Sequence, residues 1–252
     1  MDYLTLYKFL LKKEVFRVRE IYDYTKNKQV ASNLIQVLLK KRLIKRIKHG
    51  FYYIIPLGME DAVPNVYLVG SKLVSKSFFS HYTALELHGL SQTSVNISYI
   101  SISFNKASFT FKNHKYIFIR NKYFGLTKKK INDATVVYTD LEKTFVDCLR
   151  KLKYCVSLEV FLKSFENVKL DFKKIEEYLK KLNNQGLYKK TGYILYLLKE
   201  DLGVPEAVIQ RLKKKVSQKT YYLENKTKGL NKKNKEWNLM IPKNIEELIK
   251  VA

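Results

Sequence analysis

The chain has very few cysteines, which excludes two classes of protein. Its 252 residues include only Cys148 and Cys155. Two thiols make no disulfide framework, and without further Cys or His at matching spacings they make no zinc site. We therefore expect two ordinary thiols, with Cys148 on the buried face of a helix.

Long apolar runs and targeting signals are also missing. No apolar segment approaches the ~20 residues that a membrane-spanning helix needs. The first residues, MDYLTLYKFLLKKEVF, lack the basic region, long apolar core and cleavage site of a signal peptide. We expect a soluble cytoplasmic protein with no membrane partner. A hydrophobic fraction of 46% is nevertheless enough for a folded protein with a sizeable core.

Enzyme signatures are absent as well. The sequence contains no glycine-rich phosphate loop, no nucleophile elbow and no paired-histidine zinc motif. We predict a protein without catalytic residues, metal or cofactor.

Acidic residues are scarce relative to basic ones. The chain has 48 Lys and Arg against 23 Asp and Glu, a net charge of +25, which favours a polyanionic partner. A general enrichment in lysine would also raise this total, so the distribution matters more. No acidic residue lies between Asp23 and Glu60. The same interval holds eight basic residues: Lys26, Lys28, Lys40, Lys41, Arg42, Lys45, Arg46 and Lys48.

Apolar periodicity in this region predicts a winged helix-turn-helix domain over residues 1–58. Asp2 can cap a first helix, and a second apolar segment with helical spacing follows. QVASNLIQVLLKKRL, residues 29–43, has the i, i+3, i+4 pattern of a third helix. LIKRIKHGFYYII alternates on both sides of His49-Gly50 and predicts a β-hairpin. Helix, helix, turn, helix and hairpin is the order of a winged helix.

In such a domain the third helix enters the major groove of DNA, and its polar side chains read base edges. The residues of this kind are Gln29, Ser32, Asn33 and Gln36. Those suited to phosphates are Lys26, Lys28, Arg42, Lys45, Arg46 and Lys48, with His49 at the wing tip. The alternative is a solvated helix face in a domain that mediates protein contacts.

Residues 59–252 form a second predicted domain, which follows a linker containing Pro56 and Pro64. SVNISYISISFN, SFTFKNHKYIFIRN and ATVVY have the β-branched and aromatic alternation of strands. TDLE, residues 139–142, then predicts a capping box at the start of a helix. In this box the Thr139 hydroxyl accepts a hydrogen bond from the backbone N–H of Glu142. Further helices follow, so we predict an α+β domain with strands first and helices after.

The segment FFSHYTALELHGLS contains two histidines seven residues apart. Ser80 can cap a short helix here, and Gly89 can end it. Seven helical residues separate His81 and His88 by about 10 Å, which is too far for one metal ion, and Glu86 has no second carboxylate beside it. We therefore predict packing and hydrogen-bonding roles for both histidines.

SHYTALELHGLS resembles the S-H-x-S-A-L-x-x-H-G-L signature of AbiEi-type antitoxins, which are regulators of abortive-infection and toxin–antitoxin operons. The matching residues are Ser80, His81, Ala84, Leu85, His88, Gly89 and Leu90. VYTDLEKTFVDCLRK resembles the E-R-T-L-x-D helix of the same family. Here Glu142, Thr144 and Asp147 match, while Lys143 and Phe145 replace the usual Arg and Leu. TGYILYLLKEDLG and NKEWNLMIP resemble two later blocks.

The resemblance implies a DNA-binding antitoxin that represses its own operon and counteracts a nucleotidyltransferase-type toxin in phage defence. Whether the toxin is contacted directly stays open, as does the choice between monomer and homodimer. An operator with inverted repeats is expected only if two copies bind. The main alternative is a winged-helix transcription factor whose α+β domain senses a ligand or dimerises. An RNA-binding protein fits the charge but not the hairpin.

Overall fold

The computed structural model of the protein describes residues 2–91, 93–224 and 229–250. It has a mixed α+β fold, as predicted. The chain divides into two compact units. Unit 1 comprises residues 1–78, 96–122 and 128–137, and unit 2 comprises 79–95, 123–127 and 138–252. Within the described ranges, no helix has the length and apolar character needed to cross a bilayer.

Unit 1 begins with three helices and three short strands. They are α1 (Tyr3–Leu11), β1 (Val15–Arg17), α2 (Val18–Thr25), α3 (Lys28–Lys40), β2 (Ile44–Lys48) and β3 (Phe51–Ile54). Strand β3 lies between β1 and β2 and is antiparallel to both. Gly50 has a φ of +68° in the turn between β2 and β3, a conformation that glycine adopts without a steric cost.

The three helices bury one apolar face each in a common core. The core residues from these helices are Leu6, Tyr7, Leu10, Ile21, Ala31, Leu34, Ile35 and Leu38. Asp2 caps α1 by accepting a hydrogen bond from the Thr5 N–H at 2.8 Å, which confirms the predicted cap. Helix α3 ends at Lys40, earlier than the predicted Leu43, and Arg42 follows with a φ of +56°.

A second group of elements in unit 1 follows along the chain. It contains α4 (Val66–Leu73), β5 (Ile97–Ile102), β6 (Phe109–Phe111) and β7 (His114–Arg120). Strands β5 and β7 are parallel, and β6 pairs antiparallel with β7. The predicted strand segment SFTFKNHKYIFIRN therefore contains two strands, which meet at a turn where Lys112 has positive φ.

Three further strands are divided between the units along the chain. They are β4 (Phe78–Phe79), β8 (Leu126–Ile131) and β9 (Ala134–Thr139). Strand β4 pairs parallel with β9 through Phe79 and Tyr138, and β8 is the other neighbour of β9. Sequence analysis missed β8 because three consecutive exposed lysines at its centre hide any apolar alternation.

Unit 2 is mainly helical. Its helices are α5 (Tyr82–His88), α6 (Leu141–Arg150), α7 (Leu158–Ser164), α8 (Phe172–Leu182), α9 (Gln185–Leu197), α10 (Glu206–Lys213) and α11 (Ile245–Lys250). A 3₁₀ turn (Leu152–Tyr154) follows α6. Strands β10 (Tyr221–Tyr222), β11 (Asn231–Asn234) and β12 (Leu239–Pro242) form a small sheet in the order β10-β12-β11. After residue 59, helices α4 and α5 precede strands β5–β9, and strands β10–β12 follow helices α6–α10, so the predicted order of strands first and helices after is not confirmed.

Two predicted helix caps are wrong by one residue. Asp140, not Thr139, caps α6 by accepting a hydrogen bond from the Lys143 N–H at 2.8 Å. The Thr139 hydroxyl lies 2.7 Å from the hydroxyl of Thr144 instead. Both oxygens suit an N-cap, so the pattern of residue types alone could not choose between the neighbours.

The predicted cap of α5 is also wrong by one residue. Its N-cap residue is His81, without a capping hydrogen bond from the side chain, and the predicted cap, Ser80, bonds to His81. Gly89 does end α5 in the left-handed conformation, as predicted.

The expectation of two ordinary thiols is also wrong. Cys148 and Cys155 are joined in a disulfide bond with Cα atoms 5.9 Å apart, and both are completely buried. The 3₁₀ turn reverses the chain after α6 and returns Cys155 to the end of the helix. A spacing of seven residues between two cysteines does not predict that reversal of the chain, so the disulfide bond could not be derived from the sequence.

The single tryptophan packs on a glycine in α9. Trp237 is 1% exposed, and a Cβ on Gly192 would lie 2.1 Å from its ring carbon Cζ3. Gly192 therefore lets the indole approach the helix backbone. This contact explains why a helix-weakening residue stands in the middle of α9.

We predict that Gly192→Ala destabilises the protein by about 1–3 kcal/mol, because the added methyl group overpacks against Trp237. At an unconstrained helical site the same change stabilises the protein by about 1 kcal/mol. The sign of the change in unfolding free energy therefore shows whether the contact with Trp237 exists. Urea unfolding measures it. Tyr196→Ala, at a half-exposed site on α9, is the control and should cost less. A stabilised Gly192→Ala protein would contradict the contact.

Candidate nucleic-acid interface

Helix α3 presents a polar face to solvent because its other face is committed to the core. Lys26 ends α2 in the left-handed conformation, and Asn27 caps α3 by accepting from the Val30 N–H at 3.1 Å. The connection between the helices is therefore shorter than the predicted turn, residues 25–28. The buried residues of α3 fix its rotation about its own axis.

The polar residues predicted to read DNA bases lie on this outward face. Gln29, Asn33 and Gln36 are exposed, and Ser32 is half-buried. The amide of Gln29 donates a hydrogen bond to the side-chain oxygen of Asn33 at 3.0 Å. Two amide groups one helical turn apart thus form a small array of donors and acceptors in the first half of α3.

The β2–β3 hairpin carries the predicted phosphate-binding residues. Lys45, Arg46 and His49 are exposed, whereas Lys48 is half-buried. The Lys45 ammonium donates to the backbone carbonyl of Glu60 at 2.6 Å, so part of its hydrogen-bonding capacity is used within unit 1. The Arg46 guanidinium lies 5.7 Å from the centre of the Tyr52 ring. Lys26, Lys28 and Arg42 are exposed on α3 or at its ends.

A groove of about 680 Å³ adjoins the tip of this hairpin within unit 1. Its basic lining residues are Arg17, Arg19, His49, Lys72 and Lys106, and Phe104 is among the others. Two of these cations already have partners. Arg17 donates to the carbonyls of Lys72 and Leu73, and Lys72 pairs with Glu20 at 2.7 Å.

The groove concentrates positive charge beside Lys48. Partial burial, followed by the charges of Arg17 and Lys106, lowers the pKa of Lys48. The Lys48 ammonium lies 5.4 Å from the centre of the Phe109 ring. Like charges held this close are stabilised by an anion. Arg19 and Lys106 are therefore candidate phosphate ligands that sequence analysis missed. Lys106 is 58 positions from Lys48, and only the tertiary fold brings it there.

The residues of the antitoxin-like motifs lie in unit 2 and are mostly buried. Ser80, His81, Ala84, Leu85, Thr144 and Asp147 are all 0% exposed, and Glu142 is 6% exposed. His88 and Leu90 are half-buried, and Gly89 is exposed. The motifs thus occupy the interior of unit 2.

The two histidines of the first motif make different contacts. The Nδ1 atom of His81 lies 2.8 Å from the Ser80 hydroxyl, and its ring packs edge-on against Tyr154. The Nε2 atom of His88 lies 2.9 Å from the carbonyl of Thr139. No group of three potential metal ligands occurs among the residues that the structure describes.

Asp147, from the second motif, joins a buried cluster of charges. Its carboxylate lies 2.5 Å from the Lys143 ammonium, and both side chains are 0% exposed. Arg150 approaches the same carboxylate at 3.4 Å. The motif that this segment resembles usually has Arg at the position of Lys143, so the cationic character is the same.

Comparison with known proteins shows a likeness of fold. No family model matches the chain, and no curated protein does. The crystal structure of the Rv2827c protein from Mycobacterium tuberculosis has a similar fold, with a TM-score of 0.67. The identity is 13%, over 94% of this chain and 89% of that one. At this identity the likeness concerns the fold alone, and the resemblance to AbiEi-type antitoxins rests on the motif residues.

We predict that His81 makes the stability of the protein depend on pH. Burial lowers its pKa to about 3, so the unfolded chain, with a His pKa near 6.5, binds a proton that the folded protein does not. Stability therefore falls as the pH falls below about 6.5. Between pH 7.5 and 5.5 this residue should account for about 1.4 kcal/mol of lost unfolding free energy.

Urea unfolding of His81→Gln at both pH values tests this, because the variant should show a smaller difference by about that amount. His49→Gln, at an exposed position, is the matched control and should behave as the parent protein does. An unchanged pH dependence in His81→Gln would show that the ring is not buried in its neutral form.

Proposed function

We propose that residues 1–58 form a winged helix-turn-helix domain that binds double-stranded DNA, with α3 in the major groove. The observation that carries the proposal is the exposed face of α3, which presents Gln29, Asn33 and Gln36 next to a basic hairpin and lacks any carboxylate. The order of elements and the strand order β1-β3-β2 support this proposal.

The two groups of residues have different tasks in this proposal. Amide side chains on α3 form bidentate hydrogen bonds with bases, which gives sequence specificity. Lys45, Arg46 and Lys48 on the hairpin neutralise phosphates, which gives affinity on any sequence. Arg19 and Lys106 extend the phosphate contacts beyond the hairpin tip.

We further propose that the protein is an antitoxin that represses its own operon and counteracts a nucleotidyltransferase-type toxin. This part rests on the motif residues of unit 2 and their resemblance to AbiEi-type antitoxins. The charge clusters that the motifs form are buried, so antitoxic activity must involve other, exposed residues of the protein. A homodimer on an operator with inverted repeats, with half-sites about one DNA turn apart, is the expected arrangement if two copies bind.

The second candidate is a transcription factor that responds to a small ligand. It is favoured by a basic cavity in unit 2, lined by residues of α6, the 3₁₀ turn and α9. The neighbouring gene discriminates the candidates, since an adjacent nucleotidyltransferase gene supports the antitoxin.

DNA titrations with two variants test the division of tasks. Asn33→Ala should lose ~1–3 kcal/mol on the promoter of its own operon and little on random DNA, because a base contact is removed. Lys48→Gln should weaken binding to both DNAs and reduce the salt slope by about one, because a phosphate contact is removed.

Lys115→Gln is the matched control, since Lys115 is exposed and outside the groove that adjoins the hairpin. It should keep nearly the parent affinity and salt slope. Equal losses on both DNAs for Asn33→Ala would exclude α3 as the reader of bases. If the parent protein does not bind its own promoter, the regulator proposal fails.

Co-expression separates antitoxic activity from repression. The full-length triple variant Asn33→Ala, Arg46→Gln, Lys48→Gln should lose promoter binding and still neutralise the toxin when each gene has an independent promoter. Growth of the host measures neutralisation. If the triple variant is stable but gives no protection, the phenotype depends on DNA binding, and a separate antitoxic activity is excluded.

A further inference from the structure

A cavity of about 410 Å³ lies within unit 2, and none of its lining residues is among those assigned to DNA. Among the residues that the structure describes, four cationic ones line it: Arg150, Lys151, Lys153 and Lys190. The same lining contains one carboxylate, that of Glu224. Small-molecule sites in proteins have volumes of roughly 300–1,000 Å³, so the cavity suits a small ligand. Its net positive charge favours an anionic ligand.

We propose that this cavity binds a small organic phosphate through Arg150, Lys151, Lys153 and Lys190. The proposal does not depend on the proposed DNA binding or antitoxic activity, because none of these residues belongs to either assignment. A ligand that regulates unit 2 through this cavity would then be a small organic phosphate.

The chain holds three of the cations close together by its local fold. Arg150 is the last residue of α6, and Lys151 and Lys153 follow in the 3₁₀ turn. The disulfide bond between Cys148 and Cys155 joins the two ends of this segment and makes it a closed loop. Three positive charges within four residues repel each other, and the closed loop keeps them together in the absence of an anion.

Neighbouring side chains orient these cations. Arg150 is placed by the buried carboxylate of Asp147 at 3.4 Å. The ammonium groups of Lys151 and Lys153 lie 5.7 Å and 5.0 Å from the centre of the Tyr154 ring. The cationic wall of the cavity is therefore attached to the core of unit 2 through Asp147.

Lys190 on α9 also lines the cavity. Burial lowers its pKa to about 8, while the charge of Glu224 acts in the other direction. Burial also raises the pKa of Glu224, and a backbone hydrogen bond at Leu158 and the charge of Lys190 oppose that rise. A half-buried lysine in a cavity lining that holds three further cations is stabilised by an anion, in addition to the charge of Glu224 that already favours its protonated form.

Apolar residues in the same lining indicate an organic ligand. Leu152 and Leu223 are almost fully buried, and Val156 is 52% exposed. A phosphate group would bind the cations, and the remainder of the molecule would cover Val156, the exposed one of the three. Inorganic phosphate should therefore bind more weakly than a phosphate ester with an apolar group.

The test is calorimetric titration of the full-length protein with inorganic phosphate and with phenyl phosphate, at constant ionic strength. We expect one saturable site, with phenyl phosphate the tighter ligand by several-fold. Lys190→Gln and Lys153→Gln should each weaken phenyl phosphate binding by about tenfold, the loss of one charge-assisted hydrogen bond. Lys180→Gln, on an exposed part of α8, is the matched control and should bind as the parent does.

A pH series adds a readout that a merely structural role would not change. Phenyl phosphate affinity should fall as the pH rises from 7 to 9, because Lys190 loses its proton in this range. Lys190→Gln should show a smaller fall. The other charged groups of the lining, Arg150, Lys151, Lys153 and Glu224, remain in the variant.

Three outcomes overturn the proposal. The first is an equal loss in Lys180→Gln, which means diffuse binding by a basic protein. The second is the absence of a saturable site in the parent protein. The third is displacement of phenyl phosphate by a short random DNA duplex, with duplex binding lost in Lys190→Gln. That result would make the cavity a contact for nucleic-acid phosphates.

Discussion

The ion pair between Lys143 and Asp147 is the constraint on which the arrangement of unit 2 depends. Both side chains are fully buried, and burial alone would raise the pKa of Asp147 and lower that of Lys143. The charges of Lys143 and Arg150 nevertheless hold the pKa of Asp147 below its ordinary value. Breaking such a pair costs about 3–5 kcal/mol, because one charge is left uncompensated. Both residues lie on α6, so the face of the helix that carries them must stay covered, and Arg150, which contacts Asp147, lies at the edge of the cavity.

Sequence patterns predicted the elements that have strong local signals. The cap at Asp2, the apolar stripe of α3, the hairpin turn at Gly50 and the end of α5 at Gly89 all agree with the structure. These features depend on residues within one or two turns of each other. The short strands β1 and β10 were missed, because two or three residues carry too little periodicity to identify a strand.

The features that the sequence did not predict depend on distant contacts. Strand β1 exists because Phe16 pairs with Tyr52, 36 residues later. The groove at the hairpin tip depends on the placement of Lys106, and the disulfide bond depends on a turn that brings Cys155 back to α6. Each required knowledge of the fold before the residues could be recognised as neighbours.

The motif residues and the proposed DNA-contacting residues differ in their burial, and this difference has a consequence for function. Ser80, His81, Thr144 and Asp147 are completely buried, so they act on the fold of unit 2 and not directly on a partner. Asn33 and Gln36 are exposed, and substitutions there leave the core of unit 1 intact. Under the proposed function, substitutions on α3 would change the operator without changing the fold. The residues that reveal the resemblance are therefore not those that would choose the DNA sequence.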